Sequence, residues 1–256
     1  MNLSMTGALA AAYRSGSQRA RVVTESWGES NLYCPNCSSP KLTWLEPGHP
    51  ASDYSCPKCK FWFQLKSQKS SIGDNITDGA YAAMMNAIRH DELPSFYFMQ
   101  YDLLTWSVRN LLLVPHFAFP LSAIIKRKPL SRTARRAGWV GCNFALNRIP
   151  GSARIPVVSE GAISPPAEVR QRYHLARKQV EGLTVKQRGW RLDVLRVIQS
   201  LGKAEFTTTD AYIFERELEQ SHPDNRNIKA KIRQQLQALR DRNLLLHVGR
   251  NCWRLP

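Results

Sequence analysis

The sequence contains no hydrophobic run long enough to cross a lipid bilayer. The longest run, residues 111–119, is interrupted by Pro115 and His116, whereas a membrane-spanning helix needs about 20 apolar residues. The apolar stretch at residues 8–13 is also short and has no basic segment before it, which argues against a secretory leader. We therefore expect a cytoplasmic protein that does not act at a membrane.

Acidic residues are scarce in this chain of 256 residues. It has 20 Asp and Glu against 36 Lys and Arg, which gives a formal net charge of +16. Such an excess attracts polyanions, nucleic acid first and anionic membrane surfaces second, although a uniformly solvated basic surface would give the same count. The length suits one large domain or two smaller ones, and we expect two, in a protein that is a monomer in solution.

Cysteine is rare as well, and four of the six cysteines form two CxxC pairs. The pairs, CPNC and CPKC, are separated by eighteen residues. This spacing is typical of a tetrahedral zinc site, because each CxxC turn presents two thiolates to one ion. Two disulfides would be the alternative in an oxidising compartment, and Cys142 and Cys252, which have no such partner, are expected to be ordinary buried residues. The predicted zinc ligands are Cys34, Cys37, Cys56 and Cys59.

An acidic residue and a lysine lie beside the cysteine pairs. Asp53 precedes the third cysteine by three residues, after a loop that contains Gly48 and Pro50. Residues 61–66 are typical of a strand, and alternate side chains of a strand point to opposite faces. Gln64 and Lys66 therefore share one face, and we expect the metal site to hold the strand that carries Asp53 against them.

The segments on either side predict a mixed α/β domain. A first helix at residues 9–27 would cover one face of a sheet, and residues 77–90 form an amphipathic helix with Asp78 in its first turn. Residues 96–101 and 106–114 are typical of strands. A strand, a crossover helix and a second strand place both strands in one sheet, so we expect an α/β sandwich with the zinc site at one end. The apolar face of the second helix comprises Tyr81, Met84, Met85 and Ile88.

The C-terminal segment predicts a winged helix. A shift in composition near residue 182 marks a boundary between a domain at 1–182 and a domain at 183–256. The predicted elements are helix one at 190–201, a strand with a helix cap at 205–210, helix two as far as Glu219, helix three opened by HPDN at 222–225, and a wing at 244–255 that turns at 249–251.

Helix three of this domain has two different faces. Ile228, Ile232, Leu236 and Leu239 fall on one side, which we expect to be the core side. The opposite side suits a DNA major groove, where glutamine reads adenine through its N6 and N7 atoms. A winged helix that binds a protein, with these polar residues only solvated, is the alternative. The predicted DNA-facing residues are Arg226, Asn227, Ala230, Arg233, Gln234 and Gln237.

A basic loop, RKPLSRTARRAGWVGCN, is the second predicted DNA contact. Arg132, Arg135 and Arg136 can meet phosphates or guanine edges, and Trp139 can lie flat against an apolar target such as a methyl group. The alternative is a basic loop with Trp139 buried in the core.

The pattern of Asp53, then Gln64-Leu65-Lys66, then a helix and a strand, resembles the PD-(D/E)xK nuclease core. Stretches along the whole chain also resemble the DpnI family of methyl-directed restriction endonucleases, including SQRARVVTE, YCPNC, DGAYAAMM, RKPLSRTARRAGWVGCN and KIRQQLQALRD. The resemblance implies a type II restriction endonuclease with a four-cysteine zinc site and a C-terminal winged helix. It also implies Mg²⁺-dependent double-strand cleavage at GATC carrying N6-methyladenine, with Trp139 against the methyl groups.

By the same resemblance, Asp53 and Lys66 match catalytic positions, and Mg²⁺ is held by Asp53, Gln64 and the carbonyl of Leu65. Gln64 departs from the family, which has glutamate there, so a negative charge is missing and the affinity for Mg²⁺ should fall. A catalytically weak or inactive regulator that binds methylated DNA therefore remains the alternative. Glu25 is a further candidate acid for the metal site, although an ordinary surface role fits it better.

Overall fold

The structure is a computed structural model that describes residues 1–46 and 52–256. Contacts within the chain divide it into two compact units. The first comprises residues 1–74, 92–116 and 152–175, and the second comprises residues 75–91, 117–151 and 176–256. The predicted loop at Gly48 and Pro50 lies outside the described residues. No helix in those two described ranges combines the length and the apolarity that crossing a bilayer needs.

The described chain contains both helices and strands. The helices are α1 (Gly16–Asn31), α2 (Tyr81–Arg89), α3 (Pro166–Val180), α4 (Val185–Ser200), α5 (Thr208–Tyr212), α6 (Glu215–Ser221) and α7 (Ile228–Arg240). The strands are β1 (Thr43–Trp44), β2 (Tyr54–Ser55), β3 (Trp62–Gln68), β4 (Asn75–Ala80), β5 (Ser95–Asp102), β6 (Ser107–Val114), β7 (Ile124–Lys126), β8 (Gly141–Ala145), β9 (Ile155–Ser159), β10 (Ala162–Ile163), β11 (Glu205–Thr207), β12 (Leu246–Gly249) and β13 (Cys252–Arg254).

The first unit is organised around a seven-stranded sheet with the strand order β1-β2-β3-β5-β6-β9-β10. β3 and β5 are parallel neighbours, with Phe63 opposite Ser95 and Gln68 opposite Gln100, so the prediction that these strands share a sheet is confirmed. β5 is an almost continuous apolar strand because both of its faces are covered. α1 packs against β3, as a helix covering the sheet should.

The start of this unit differs from the single helix predicted at residues 9–27. A short 3-10 helix at Gly7–Ala12 ends before α1 begins, and Tyr13 between them is extended. Leu9 is exposed, whereas Val23 and Trp27 are buried in the core. The apolar spacing therefore identified the buried face of α1 but did not place the break, which falls at residues 13–15, just before Gly16 begins α1.

The helix predicted at residues 77–90 was too long at its N-terminal end. Residues 75–80 form strand β4, which pairs with β8, and α2 begins only at Tyr81. Asp78 therefore lies in a strand and does not cap a helix. β-branched Ile76 and Thr77 favour an extended backbone, and Ile76 is buried between exposed neighbours. Within α2 the apolar prediction is confirmed in part, because Met84 and Ile88 are buried.

The second unit contains two three-stranded sheets, ordered β4-β8-β7 and β11-β13-β12, and a helical core. The predicted core face of helix three is confirmed, since Ile228, Ile232, Leu236 and Leu239 of α7 are all buried. They pack with residues of α4 and with Trp253 of β13. β12 and β13 form the predicted wing, with Asn251 in a left-handed conformation (φ 56°) at its turn.

All three helices of this region differ from their predicted bounds. Helix one starts at Val185, five residues earlier than expected, because Thr184 caps it and exchanges hydrogen bonds with Gln187. Helix two is divided into α5 and α6, and α5 is capped by Thr207 in the same way. Helix three starts at Ile228, whereas the HPDN segment that was expected to open it ends at residue 225.

Candidate functional site

The four predicted zinc ligands converge on one point in the first unit. The Sγ atoms of Cys34, Cys37, Cys56 and Cys59 all lie within 4.8 Å of one another, and none of these thiols is in a disulfide. The Cys34–Cys59 and Cys37–Cys56 sulfur pairs are both 3.5 Å apart. Sulfurs of a zinc tetrahedron with bonds of about 2.3 Å are about 3.8 Å apart. The cluster is thus consistent with zinc binding, and the disulfide alternative does not hold in this structure.

Local hydrogen bonds prepare one of these thiols for ionisation. Although burial acts to raise it, the pKa of Cys56 falls to about 6, because the backbone N–H groups of Cys59 and Lys58 point at its sulfur. Burial raises the pKa of Cys34 far above the ordinary thiol value. A bound cation would favour the thiolate form of both residues. Of the two cysteines outside the cluster, Cys142 is buried as predicted, whereas Cys252 is half-exposed.

An arginine from a distant helix stabilises the first cysteine turn. The Nε atom of Arg170, on α3, donates to the carbonyl oxygens of Cys34 (3.1 Å) and Cys37 (2.9 Å), and its second nitrogen donates to the carbonyl of Ser39 (3.1 Å). Its guanidinium also lies 5.2 Å from the ring centre of Tyr33. Sequence inspection missed this residue because no motif connects it with the cysteines.

We expect Arg170→Lys to destabilise the protein by about 2 kcal/mol, because a lysine cannot donate to three carbonyl groups in the fixed geometry of a guanidinium. Urea unfolding of the zinc-loaded chain measures this change. Arg172→Lys is the matched control on the same helix, since Arg172 is exposed and pairs with Glu168 on the helix surface. Equal effects of the two substitutions would contradict the assigned role of Arg170.

Asp53 is fixed against β3 by backbone hydrogen bonds. It lies one residue before β2, which pairs antiparallel with β3, and its N–H donates to the carbonyl of Phe63 (2.9 Å). Its Oδ2 accepts a hydrogen bond from the N–H of Leu65 (2.8 Å). The carboxylate is therefore held at the middle residue of the Gln64-Leu65-Lys66 segment.

The charges around Asp53 identify its neighbours. Burial raises the pKa of Asp53, the Leu65 N–H opposes that shift, the carboxylate of Glu25 raises the pKa further, and the cations of Lys66 and Arg21 lower it. The structure thus brings Lys66 and Glu25 each within electrostatic range of Asp53. Of these, the strand pattern predicts Lys66, and Glu25 is a further candidate from the sequence.

The side-chain oxygen of Gln64, on β3, is buried without a hydrogen bond from the described residues. Its Oε1 atom is buried and has no hydrogen-bond partner among residues 1–46 and 52–256. Leaving a buried acceptor unpaired costs about 1–3 kcal/mol. Amide and carboxylate oxygens are the ligands that hard cations such as Mg²⁺ prefer. The donor set of Asp53 and Gln64 therefore fits a divalent cation.

Glu25 is not an ordinary surface residue. Its side chain is 21% exposed, and it pairs with Arg21 one turn earlier on α1, at 2.7 Å. The hydroxyl of Tyr54, the residue after Asp53, donates to the carbonyl oxygen of Glu25 (2.8 Å). No motif indicates the position of this side chain, because it depends on how α1 packs.

The basic loop belongs to the second unit and exposes its arginines. Arg132, Arg135 and Arg136 all lie at the surface, and Trp139 is partly buried. The Trp139 ring covers Gly141, where an added Cβ would lie 2.8 Å from the ring. The guanidinium of Arg136 lies 4.6 Å from the ring centre. Trp139 is therefore held at the edge of the unit and is not part of the core.

The predicted contact residues of helix three occupy its exposed side. Arg226 and Asn227 precede α7, with Asn227 at its cap, and Arg233, Gln234 and Gln237 are exposed along the helix. Neighbours orient two of them. Arg233 donates to the hydroxyl of Tyr212 (3.2 Å), and the Lys231 ammonium donates to Gln234 (2.7 Å). Ala230 is exposed on the same side.

The structure combines a mixed α/β fold and a four-cysteine cluster with a C-terminal helical domain that ends in a two-stranded wing. The family model described as the Dam-replacing family, DpnI, matches residues 1–181. The model described as the Dam-replacing helix-turn-helix domain matches residues 186–254. Because the first match covers more than half of the chain, the protein belongs to the DpnI family. The resemblance noted from the sequence motifs is confirmed, and the domain boundary near residue 182 stays a prediction.

Proposed function

We propose that this protein is a Mg²⁺-dependent endonuclease that cuts both strands of DNA at GATC sites carrying N6-methyladenine. The observation that carries the proposal is the neighbourhood of Asp53, where Lys66 is within electrostatic range and the buried oxygen of Gln64 lacks a partner among the described residues. Family membership supports a nuclease. The PD-(D/E)xK assignment rests on the order of Asp53, just before β2, and of Gln64 and Lys66 on β3.

Asp53, Gln64 and the carbonyl oxygen of Leu65 would hold the Mg²⁺ ion. When bound, Mg²⁺ supplies Lewis-acid stabilisation of the phosphate and lowers the pKa of a bound water. The Leu65 N–H keeps the Asp53 carboxylate in place through its 2.8 Å hydrogen bond. The Lys66 ammonium can orient the attacking water and stabilise negative charge on the scissile phosphate.

We propose that the four-cysteine cluster binds a structural zinc ion. The cluster ties the turn after α1 to the turn between β2 and β3, and Cys56 follows Asp53 by three residues. Such a site needs reduced thiols, which is why we place the protein in the cytoplasm. We further propose a monomer in solution, which light scattering of the zinc-loaded chain tests.

DNA recognition is assigned to the basic loop and to α7. The exposed arginines of the loop, together with a net charge of +16, favour contacts with phosphates, so binding should weaken steeply with salt. Trp139 presents an apolar ring suited to the methyl group, and Gln234 and Gln237 are placed on the exposed face of a helix that suits a major groove.

Replacing Trp139 with alanine should lower the preference for methylated over unmethylated GATC by about tenfold, the lower end of the 1–3 kcal/mol that a good base contact contributes. Competition binding with matched duplexes measures the ratio. Arg132→Ala is the control, because losing a phosphate contact weakens binding to both duplexes alike. If both variants lower affinity without changing the ratio, Trp139 does not read the methyl group.

The second candidate function is a regulator that binds methylated DNA without cutting it. The missing charge at Gln64 favours it, because an amide attracts Mg²⁺ less strongly than a carboxylate does. Incubating the wild type and Gln64→Glu with Mg²⁺ and matched duplexes, then mapping the ends, separates the two functions. An endonuclease cuts methylated DNA, and Gln64→Glu accelerates it most at low Mg²⁺. Absence of cleavage by both proteins would overturn the endonuclease proposal.

A further inference from the structure

Two leucines lie at the tip of a hairpin in the first unit. Strands β5 and β6 are antiparallel neighbours, and residues 103–106 connect them. Leu104 is 94% exposed and Leu103 is 49% exposed, so both side chains face solvent at the tip. A single exposed apolar residue needs no explanation, but turns are normally closed by Gly, Asn or Asp, and closing this one does not require two adjacent leucines.

The base of this hairpin is held by contacts with the N-terminal segment. Trp106 has a left-handed backbone (φ 47°), which is unfavourable for a bulky residue and persists only with support from its surroundings. The N–H of Met5 donates to the carbonyl of Trp106 at 2.7 Å, and an added Cβ on Gly7 would lie 2.6 Å from the Trp106 ring. The rings of Tyr101 and Trp106 also stack, with their centroids 5.6 Å apart. The leucines are therefore presented on a braced support.

Cationic side chains surround this tip. Leu103 lines one groove together with Arg19 and Lys69, and a second groove together with Lys69 and Arg109. All three cations are exposed. An apolar tip among cations matches the chemistry of duplex DNA, because phosphates attract the cations and a base step can accept an apolar side chain.

The hairpin extends from the strand beside the proposed cation site. β3, which carries Lys66, is parallel to β5, and Lys66 lies opposite Phe98. Leu103 follows Phe98 by five residues, so at about 3.3 Å per residue the tip lies about 17 Å further along the sheet. Five base pairs of duplex DNA have about this length, since each pair adds about 3.4 Å. A duplex bound at Lys66 therefore extends far enough to meet the tip.

We propose that this hairpin inserts Leu104 into the minor groove of the bound DNA, outside the recognised site, and unstacks one base step there. The inference rests on the proposed function and adds a DNA contact in the first unit, separate from the basic loop and α7. Because unstacking is easiest at flexible steps such as TA and CA, the hairpin would make binding depend on the sequence that flanks GATC.

Fluorescence of 2-aminopurine tests the proposal, because this base emits weakly when stacked and strongly when unstacked. It is placed at successive positions on both sides of GATC in methylated duplexes, which are bound by the zinc-loaded full chain without Mg²⁺. We expect the emission to rise at a step about five base pairs from the cut.

Three variants assign this rise to one side chain. Leu104→Ser should remove it, whereas Leu104→Met, which keeps a long apolar side chain, should retain it. Ile163→Ser is the matched control, because Ile163 is a 43% exposed apolar residue of the same unit, on β10. It should leave the rise unchanged.

Competition binding gives a second readout. A mismatch at the same flanking step removes part of the stacking that the leucine must break. The wild type should therefore bind the mismatched duplex about tenfold more tightly than the matched one, and Leu104→Ser should bind the two equally. Lys69→Ala should instead weaken binding to both duplexes and reduce the slope of log affinity against log salt by about 1.

Two results would overturn the proposal. One is emission that stays low at every position with the wild type, or that rises equally with Leu104→Ser. The other is light scattering that shows a dimer of the wild type and a monomer of Leu104→Ser, because the leucines would then join two copies of the chain.

The same duplexes separate this inference from the proposed function. If the wild type cuts methylated DNA but leaves every flanking base stacked, only the inference fails. If Leu104 unstacks a flanking step but added Mg²⁺ produces no cleavage, the inference stands and the endonuclease proposal fails. If the wild type does not bind the methylated duplexes, both fail.

Discussion

Asp53→Asn should strongly slow the cleavage of methylated DNA and leave the protein, without Mg²⁺, at least as stable as the wild type. An asparagine oxygen can still accept the hydrogen bond from the Leu65 N–H, so the local backbone is preserved. The substitution removes a negative charge that burial and Glu25 both disfavour. Loss of charge at the cation should slow the reaction by about 10²-fold or more.

The pH dependence of the free energy of unfolding shows whether ionised Asp53 stabilises or destabilises the fold. Because the folded protein raises the pKa of Asp53 above its ordinary value of 3.8, the native state binds that proton more tightly than the unfolded state does. Ionised Asp53 therefore destabilises the fold at neutral pH. As the pH falls through the raised pKa towards 3.8, the wild type should lose this disadvantage and approach Asp53→Asn in stability.

Thermal unfolding in Mg²⁺-free buffer between pH 4 and 8, together with cleavage assays, measures both effects. Asp102→Asn is a control for which we expect the opposite change in stability. Hydrogen bonds from Thr105 and from the N–H of Leu104 lower the pKa of Asp102, so its loss should reduce stability and leave cleavage intact. An active Asp53→Asn enzyme would contradict the assigned site.

Removing zinc should unfold the cysteine turns and abolish cleavage. Structural zinc in small domains contributes apparent binding free energies of about 10–16 kcal/mol, which become folding free energy. In this protein Cys56 also donates its N–H to the carbonyl of Phe61 at 2.9 Å, closing the turn from β2 to β3. Without the metal, Cys56 no longer holds β2 in place, and β2 directly follows Asp53.

Zinc content measured beside cleavage and circular dichroism tests this expectation. Cys56→Ser should lose zinc and activity together, whereas Cys252→Ser, outside the cluster, should keep both. A chain that retains full activity after verified zinc removal would show that the cluster does not support the site.

Local patterns in the sequence predicted the parts of the site that depend on short spacings. The CxxC pairs, the shared face of Gln64 and Lys66 and the apolar face of α7 all follow from turn, strand and helix periods. The start of α2 was mispredicted because the 3.6-residue period at Tyr81 to Ile88 does not reveal that the preceding residues pair with β8. Tertiary pairing decided that boundary.

Contacts between distant segments could not be predicted in the same way. Arg170 reaches the carbonyls of Cys34 and Cys37 only because α3 returns to the cysteine turn. The position of Glu25 depends on the close approach of Gly28 to Tyr54, and a glycine within a helix does not indicate its partner. Arg170 therefore could be found only in the structure, which also gives the position of Glu25, a further candidate from the sequence.

Anomalous diffraction from crystals of the zinc-loaded protein soaked in Mn²⁺ tests the central claim most directly. A manganese peak should lie about 2.1 Å from a carboxylate oxygen of Asp53 and from Oε1 of Gln64, the distance typical of Mg²⁺ ligands. A Mn²⁺ peak remote from both side chains, or a Gln64 amide turned away from Asp53, would contradict the account.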